Sequence, residues 1–521
     1  MESNKILLIR PKPDEKDRFI LTTPLSLLAV AAPLFNNEFN VKIIDAIVEG
    51  DYFNTALKEA EDALCVGITA ITGYQIKDGL RISKAIKTKF PDIKIIWGGW
   101  HPTIMPVETI INSYIDIVVH GSGEDTFLEL SMALREHKDI KNIKGLYYKQ
   151  NGKIINTPKR YLREIKKLYD LPYEIIDVER YIRATALGER TLDYRTSYGC
   201  PYKCTFCADF LMSDRHWYSL SAEQVVRELV NLYEKYNIDS VLILENEFFI
   251  NKNRIRQICE GLIKHNVNLK FGNLNVRANQ LLDYEPEMLE LMKNAGMKDL
   301  LIGVESGNQK ILDYIDKKTK VGDLVKLKEL TSKFDMELFM SFMIGFGHPD
   351  VSIGQELEDI LNLVEECRKI NNKQLIFISI YMPYPGTELF NKCVELGLDA
   401  PNTLEDWGNI DLTKTHSPWI SKNIEKKVNM LNNYIFQYIS DQFEDKWDRL
   451  YKGKFKFFLK SYHNILKKVA LFRFKYRFFY FPIDYYFLEN SKNIKSKIVR
   501  FKLVLSDKLV RKNKVKAKIN V

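Results

Sequence analysis

Three of the seven cysteines fall within eight residues, at Cys200, Cys204 and Cys207 of the stretch Tyr198-Gly199-Cys200-Pro201-Tyr202-Lys203-Cys204-Thr205-Phe206-Cys207. Three thiolates from one tight loop can hold a tetrahedral zinc with a fourth ligand, or three irons of a four-iron cluster whose fourth iron stays open. The nearest downstream ligands, His216 and then Cys259, give no familiar zinc spacing. The loop therefore reads as one ligand short, and an open iron is the expected result. Further along, polar residues collect where apolar runs end: Glu245-Asn246-Glu247, then Asn275 with Arg277, then Gly303-Val304-Glu305-Ser306-Gly307. A structural ion pair between Glu305 and Arg277 would also explain two of them, since such pairs gather at barrel rims.

The elements that must position these residues alternate. After the cysteine loop, strands are expected at Ser240–Glu245, Leu269–Arg277, Asp299–Glu305, Glu337–Gly345 and Gln374–Met382. Helices fall between them near Ser221–Tyr236, Asn253–His265, Glu285–Ala295, Gln309–Ile315, Gly322–Phe334 and Gly354–Ile370. With the strand before Cys200 this makes six β/α units, a partial (β/α)6 TIM-type barrel whose site opens at the carboxyl ends of its strands. Upstream, near-continuous apolar runs at Lys5–Arg10, Val41–Ala46, Leu64–Ala70, Lys94–Gly99 and Ile115–Gly121 read as strands buried on both faces. The helical patterns between them complete a doubly wound, Rossmann-like α/β domain whose ligand sits beyond the carboxyl ends of the strands. Those ends carry Thr69, Thr72, Gly98, Gly99, His101, Gly121, Gly123 and Glu124. Asn151-Gly152 marks a closing hairpin. The expected divisions are 1–160 for the first domain, 161–190 for a linker, 191–400 for the barrel and 401–521 for a helical carboxyl-terminal segment.

In that last segment Leu431, Ile435, Ile439, Phe443 and Trp447 recur at a four-residue step, predicting an amphipathic helix between Asn429 and Leu450. Beyond it, Leu471 to Phe481 interleaves aromatic and basic residues, and Tyr451 to Val521 holds 20 Lys and Arg against 3 Asp and Glu. Such a tail can meet anionic lipid, nucleic acid or water alone. With no RNA-binding fold around it, peripheral membrane contact is the expectation and nucleic acid is not. An odd cysteine count with three clustered argues against a disulfide framework and for a reducing cytoplasm; Cys65, Cys259, Cys367 and Cys393 read as inert. The opening residues are too brief an apolar run for a signal peptide, and no stretch approaches a spanning helix.

The C-x-x-x-C-x-x-C spacing after a short strand, with Phe206 before the last cysteine, resembles the radical S-adenosylmethionine superfamily. The resemblance implies a 4Fe-4S cluster on Cys200, Cys204 and Cys207 whose open iron chelates S-adenosylmethionine, and cleavage of its sulfonium to a 5′-deoxyadenosyl radical on reduction. It places Phe206 near the adenine, Glu245 and Glu247 near the methionyl amino group, Arg277 near the carboxylate or a ribose hydroxyl, and Glu305 near the nucleoside. The amino-terminal turns resemble the cobalamin-binding domain that precedes the radical domain in one subgroup. The D-x-H-x-x-G signature of many cobalamin proteins is absent, which implies cobalamin without a histidine beneath cobalt, and His101 beside the ligand. The activity implied is that of a cobalamin-dependent methylase of an unactivated carbon, acting on a lipid or secondary metabolite. It would use two S-adenosylmethionine molecules per methylation and an external electron donor such as flavodoxin or ferredoxin. Radical cyclisation or oxidation without methyl transfer is the alternative. A cobalamin-binding sensor with a structural cluster is a third reading, disfavoured by the complete β/α series.

Overall fold

Ile6, Leu7, Leu8 and Ile9 lose essentially all solvent contact in the first strand, as an apolar run between two helical layers must. The computed structural model describes residues 3–15, 21–161, 168–411, 417–441, 456–486 and 488. In the first domain β1 (Lys5–Arg10), β2 (Asn40–Asp45), β3 (Cys65–Thr69), β4 (Lys94–Gly98) and β5 (Ile117–Val119) run parallel. They alternate with α1 (Leu25–Phe35), α2 (Tyr52–Glu59), α3 (Tyr74–Lys89), α4 (Trp100–Ile104), α5 (Pro106–Ile111) and α6 (Glu124–Arg135). The hairpin β6 (Leu146–Gln150) and β7 (Lys153–Asn156) is added antiparallel, giving the order β2-β1-β3-β4-β5-β6-β7. Its turn residues Asn151 and Gly152 sit at φ 51° and 71°, the positive pair that a tight two-residue hairpin needs. Strand order reverses between β1 and β3, which is where a doubly wound sheet opens its crevice.

The barrel starts with β8 (Thr191–Tyr194). A short ribbon, β9 (Ser197–Tyr198) with β10 (Tyr218–Ser219), brackets the cysteine loop and α7 (Asp209–Ser213). Then follow α8 (Ala222–Tyr236), β11 (Ser240–Ile243), α9 (Lys252–Lys264), β12 (Lys270–Gly272), β13 (Leu274–Val276), α10 (Pro286–Asn294), β14 (Asp299–Glu305), α11 (Gln309–Tyr314), α12 (Val321–Ser332), β15 (Glu337–Ile344), α13 (Ile353–Ile370), β16 (Gln374–Ile380) and α14 (Glu388–Glu395). The strand expected to be continuous from Leu269 to Arg277 is broken. Asn273 takes φ 59°, which Asn tolerates, and its Nδ2 donates to Ile243 O at 2.7 Å. β12 therefore pairs with β11 while β13 pairs with β14.

The chain divides into two compact units, Met1–Asn371 with Ser379–Ile420, and Asn372–Ile378 with Ser421–Val521. The first passes the expected boundary at residue 400, because α15 (Leu404–Gly408) buries Leu404 and Trp407 in the core of the amino-terminal sheet layer. In the second unit the helix expected from Asn429 to Leu450 starts earlier, at Lys422, where Ser421 Oγ accepts from Ile424 N. It runs as α16 (Lys422–Met430), a π turn at Leu431–Ile435 and α17 (Phe436–Ile439), then stops as Ser440 becomes extended. Leu431, Ile435 and Ile439 are buried as the four-residue step requires. Phe443 and Trp447 lie outside the described residues. α18 (Lys456–Lys475) follows. No helix among the described residues is long and apolar enough to cross a membrane.

Candidate active site

The loop after β9 turns at Gly199, φ 76°, and returns through a Cys207 N to Cys204 O bond of 3.1 Å. Thr205 N donates to Ile315 O and Leu389 N to Thr205 O, so the loop is tied to the segments that end α11 and open α14. All seven cysteines are free thiols. Burial pushes the Cys207 thiol up to about 12, and burial with the Glu247 charge raises Cys200 further. Thiols this protonated become ligands only when a metal displaces the proton. Of the two residues that the spacing offered as a fourth zinc ligand, Cys259 is buried 3.7 Å from Met297 Sδ, and His216 Nδ1 lies 2.7 Å from Asp214 O. Three thiols carried by one loop of eight residues are the donor set that a four-iron cluster with an open iron uses.

Charged groups crowd this loop. Arg277 lies 3.8 Å above the Tyr202 ring and its Nη1 reaches Cys204 Sγ at 3.6 Å, while its Nε and Nη2 are buried without a partner. Glu247 Oε1 sits 4.0 Å from Cys200 Sγ and Oε2 is likewise buried and unpartnered. Burial raises the Glu247 carboxyl to about 7, with Lys317 and Arg277 pulling the other way. Glu305 ends β14 at φ 67°, and its Oε1 accepts from Lys317 Nζ at 2.7 Å. Burial works against the Lys317 ammonium, but Glu305 and Cys204 outweigh it and its pKa is raised. The pair that the rim position suggested for Glu305 thus exists with Lys317 rather than Arg277. Glu245 is differently placed: its oxygens accept from Thr196 N (2.6 Å), Thr196 Oγ1 (3.1 Å) and Ser197 N (2.9 Å), clamping the end of β8. Phe206 packs against Phe346 and Tyr381, ring centroids 5.8 and 6.5 Å apart.

A cavity of about 320 Å³ lies beyond the carboxyl ends of β1, β3, β4 and β5. Its sheet side includes Thr69, Gly98, Gly99, Gly121, Gly123 and Glu124; its barrel side includes Arg195, Tyr198, Gly199, Asp209, Glu245 and Asn246. Gly99 is at φ 97°, and a Cβ there would meet Thr69 Oγ1 at 2.6 Å, so the backbone forms this wall directly. A glycine and apolar wall facing residues that border the cysteine loop fits a large flat ligand between the two halves. Thr72 and His101 are not part of the lining. They bond to each other behind it at 3.0 Å, with His101 buried near Trp407 and its pKa lowered to about 4 by burial.

Lys317, Arg195 and Asp209 were not foreseen. Arg195 stacks 3.5 Å from the Tyr198 ring, and Glu124 feels its charge, although burial is the larger influence and raises that carboxyl. Asp209 accepts from Asn246 and, at 3.1 Å, from Ser213 Oγ; burial lifts it to about 6. Asp209, two residues after Cys207, could have been found from that position. Lys317, in a loop of charged residues, carries no sequence signal.

Residues 21–131 match the B12 binding domain family and residues 194–387 the Radical SAM superfamily. An uncharacterized methyltransferase of Pyrococcus horikoshii is 29% identical over 435 residues, 82% of this chain and 91% of that protein. An anaerobic magnesium-protoporphyrin IX monomethyl ester cyclase of Synechocystis sp. is 24% identical over 302 residues, 57% of this chain and 59% of the cyclase. The radical S-adenosylmethionine methyltransferase TsrM from Kitasatospora setae, solved with cobalamin and a 4Fe-4S cluster, shares the fold with TM-score 0.63 at 16% identity, over 90% of this chain and 99% of that one. Two domain matches in this order, with the cysteine loop inside the second, make the chain a radical S-adenosylmethionine enzyme with an amino-terminal B12-binding domain, whose cofactors are a 4Fe-4S cluster, S-adenosylmethionine and cobalamin.

Proposed function

We propose that this enzyme methylates an unactivated carbon of a small molecule. One observation carries the cofactor side of the reading: beside the three thiols, a carboxylate oxygen of Glu247 and two nitrogens of Arg277 are buried with no partner. Unpaired buried charge is costly unless a ligand completes it. The ammonium and carboxylate of S-adenosylmethionine supply the two missing partners, Glu247 for the first and Arg277 for the second. Tyr202 and Cys204 already immobilise the Arg277 guanidinium, so little ordering remains to be done on binding. Lys317 donates to one oxygen of Glu305 and so fixes the orientation of that carboxyl group toward the nucleoside end. Glu245 holds the end of β8 in place and so sets the approach to the cysteine loop. When bound, the cluster supplies the electron that cleaves S-adenosylmethionine and cobalamin carries the methyl group. The mainly apolar walls on the sheet side exclude water between them.

Methyl transfer is preferred to ring closure because the relative named a methyltransferase aligns over 91% of its own length and the cyclase over 59%. An external flavodoxin or ferredoxin would deliver electrons. Seven free cysteines support a reducing cytoplasm. The basic carboxyl-terminal region supports contact with a membrane, where a lipid or strongly apolar substrate would be met. Anaerobically reconstituted protein should hold about four irons per chain, form 5′-deoxyadenosine under reduction, and pass label from the S-adenosylmethionine methyl group to substrate. Cys200→Ala, Cys204→Ala and Cys207→Ala should each abolish cleavage. Normal cleavage by any one of them would sink the cluster assignment. Lipids and small metabolites of a deletion strain, screened for species lighter by one methylene, would identify the substrate.

A further inference from the structure

A single guanidinium organises the loop that follows α18. Arg473, 6% exposed, donates to Phe478 O (2.9 Å), Tyr480 O (3.0 Å), Phe481 O (3.0 Å) and both oxygens of Asp484 (2.5 and 2.8 Å). Five acceptors meet the five N–H donors an arginine has, and the carboxylate is gripped by the planar fork. Two residues with side chains, Arg477 and Phe481, take φ 54° and 50° in this stretch. Such backbone is disfavoured for residues that carry a Cβ and persists where surrounding bonds over-determine it. Inside the same unit, Ala470 and Phe474 are buried, and the Phe474 ring sits 6.5 Å from that of Phe436, so the base of the loop is packed.

What this scaffold displays is apolar. Tyr480, Phe481 and Ile483 are 62%, 78% and 76% exposed, and Phe472, Tyr476 and Tyr486 are exposed beside them. Cations border the rings: Lys427 Nζ lies 5.8 Å from the Tyr480 ring and Lys475 Nζ 5.4 Å from that of Tyr476. The following sequence, Glu489 to Val521, adds 11 Lys and Arg against 2 Asp and Glu. We propose that this tip is an interfacial wedge, in which Phe481 and Ile483 enter the acyl boundary of an anionic phospholipid membrane while Lys427, Lys475 and Arg477 meet its headgroups. Aromatic rings at the interface with cations around them are the arrangement that suits such a surface. An acidic partner protein would answer the charges but not the two most exposed apolar side chains. The proposal rests on the membrane reading above and names the residues that make the contact.

The test uses the full chain with vesicles of phosphatidylcholine alone and of phosphatidylcholine with phosphatidylglycerol in equal parts. The parent should sediment with the anionic vesicles at low salt and not with the neutral ones. Phe481→Ser/Ile483→Ser should weaken that partition by about tenfold or more, from the two apolar side chains withdrawn. Arg473→Lys, which keeps the charge but loses the fork, should weaken it as well. 5′-Deoxyadenosine formation, read in the same samples, should be equal in all of them. Parent-like sedimentation of the double variant would mean that the basic tail acts alone, and would overturn the wedge. So would a parent that ignores both vesicles, or one that leaves anionic vesicles for an acidic flavodoxin. Absence of 5′-deoxyadenosine in the parent would instead fault the radical reading and leave the wedge standing.

Discussion

Replacing Lys317 by methionine strands Glu305 as a buried carboxylate. The two side chains are 8% and 9% exposed and their charged atoms lie 2.7 Å apart. The space around them is full, since a Cβ on Gly303 would fall 2.5 Å from Glu305 Oε1 and 3.0 Å from Lys317 Nζ. Water therefore cannot enter cheaply to replace the ammonium. Removing one member of a buried pair costs about 3–5 kcal/mol, whereas replacing both by uncharged groups of similar volume is often close to neutral. Lys317→Met and Glu305→Gln should each destabilise by about 3 kcal/mol, and the double variant should return to within about 1 kcal/mol of the parent. Urea unfolding of the four anaerobically purified proteins measures this. S-adenosylmethionine binding in the same four separates structure from function: if Glu305 contacts the nucleoside, affinity falls in the double variant even though stability recovers. A double variant as unstable as Lys317→Met would refute the argument, because the harm would then not come from an uncompensated charge.

Further outcomes follow from the amino-terminal sheet layer and the helix packed into its core. Burial lowers His101 to about 4, so between the ordinary histidine value near 6.5 and pH 4 the unfolded chain binds a proton that the folded one refuses. Stability should therefore fall as pH drops through that window, by about 3 kcal/mol for this group. His101→Gln should remove that share, and a pH profile as steep as the parent's would count against it. His101 also sits behind the cavity wall with Thr72, so His101→Ala should leave the paramagnetic resonance of the cob(II)alamin form unchanged, with no nitrogen splitting to lose. Trp407 is 2% exposed in the core of the sheet layer, its Nε1 donating to Glu108 Oε2 at 3.0 Å. Trp407→Ala should cost about 3–5 kcal/mol, and a fragment ending at residue 160 should be less stable and bind cobalamin more weakly than the full chain. Equal affinity in the fragment would show that α15 is dispensable.

The three cysteines, the order of strands and helices in both α/β halves, and the turn at Asn151-Gly152 were legible in the amino-acid sequence, because each depends on residue type at short spacing. Buried parallel strands announce themselves as apolar runs, and a two-residue turn needs residues that accept positive φ. The break at Asn273 was not legible, since the same apolar run can continue or split depending on what Asn273 Nδ2 finds across the barrel. Nor was the partner of Glu305: Lys317 is twelve residues away, while Arg277 looked equally able to pair until the fold laid it against Tyr202 and Cys204. Thr72 and His101 look like ligand residues by position, but in the fold they bond to each other, His101 lies beside Trp407, and neither lines the cavity. Local patterns determine which elements form. Which charges are neutralised and which are left for a ligand depends on contacts between residues far apart in the chain, and those exist only once the elements have packed.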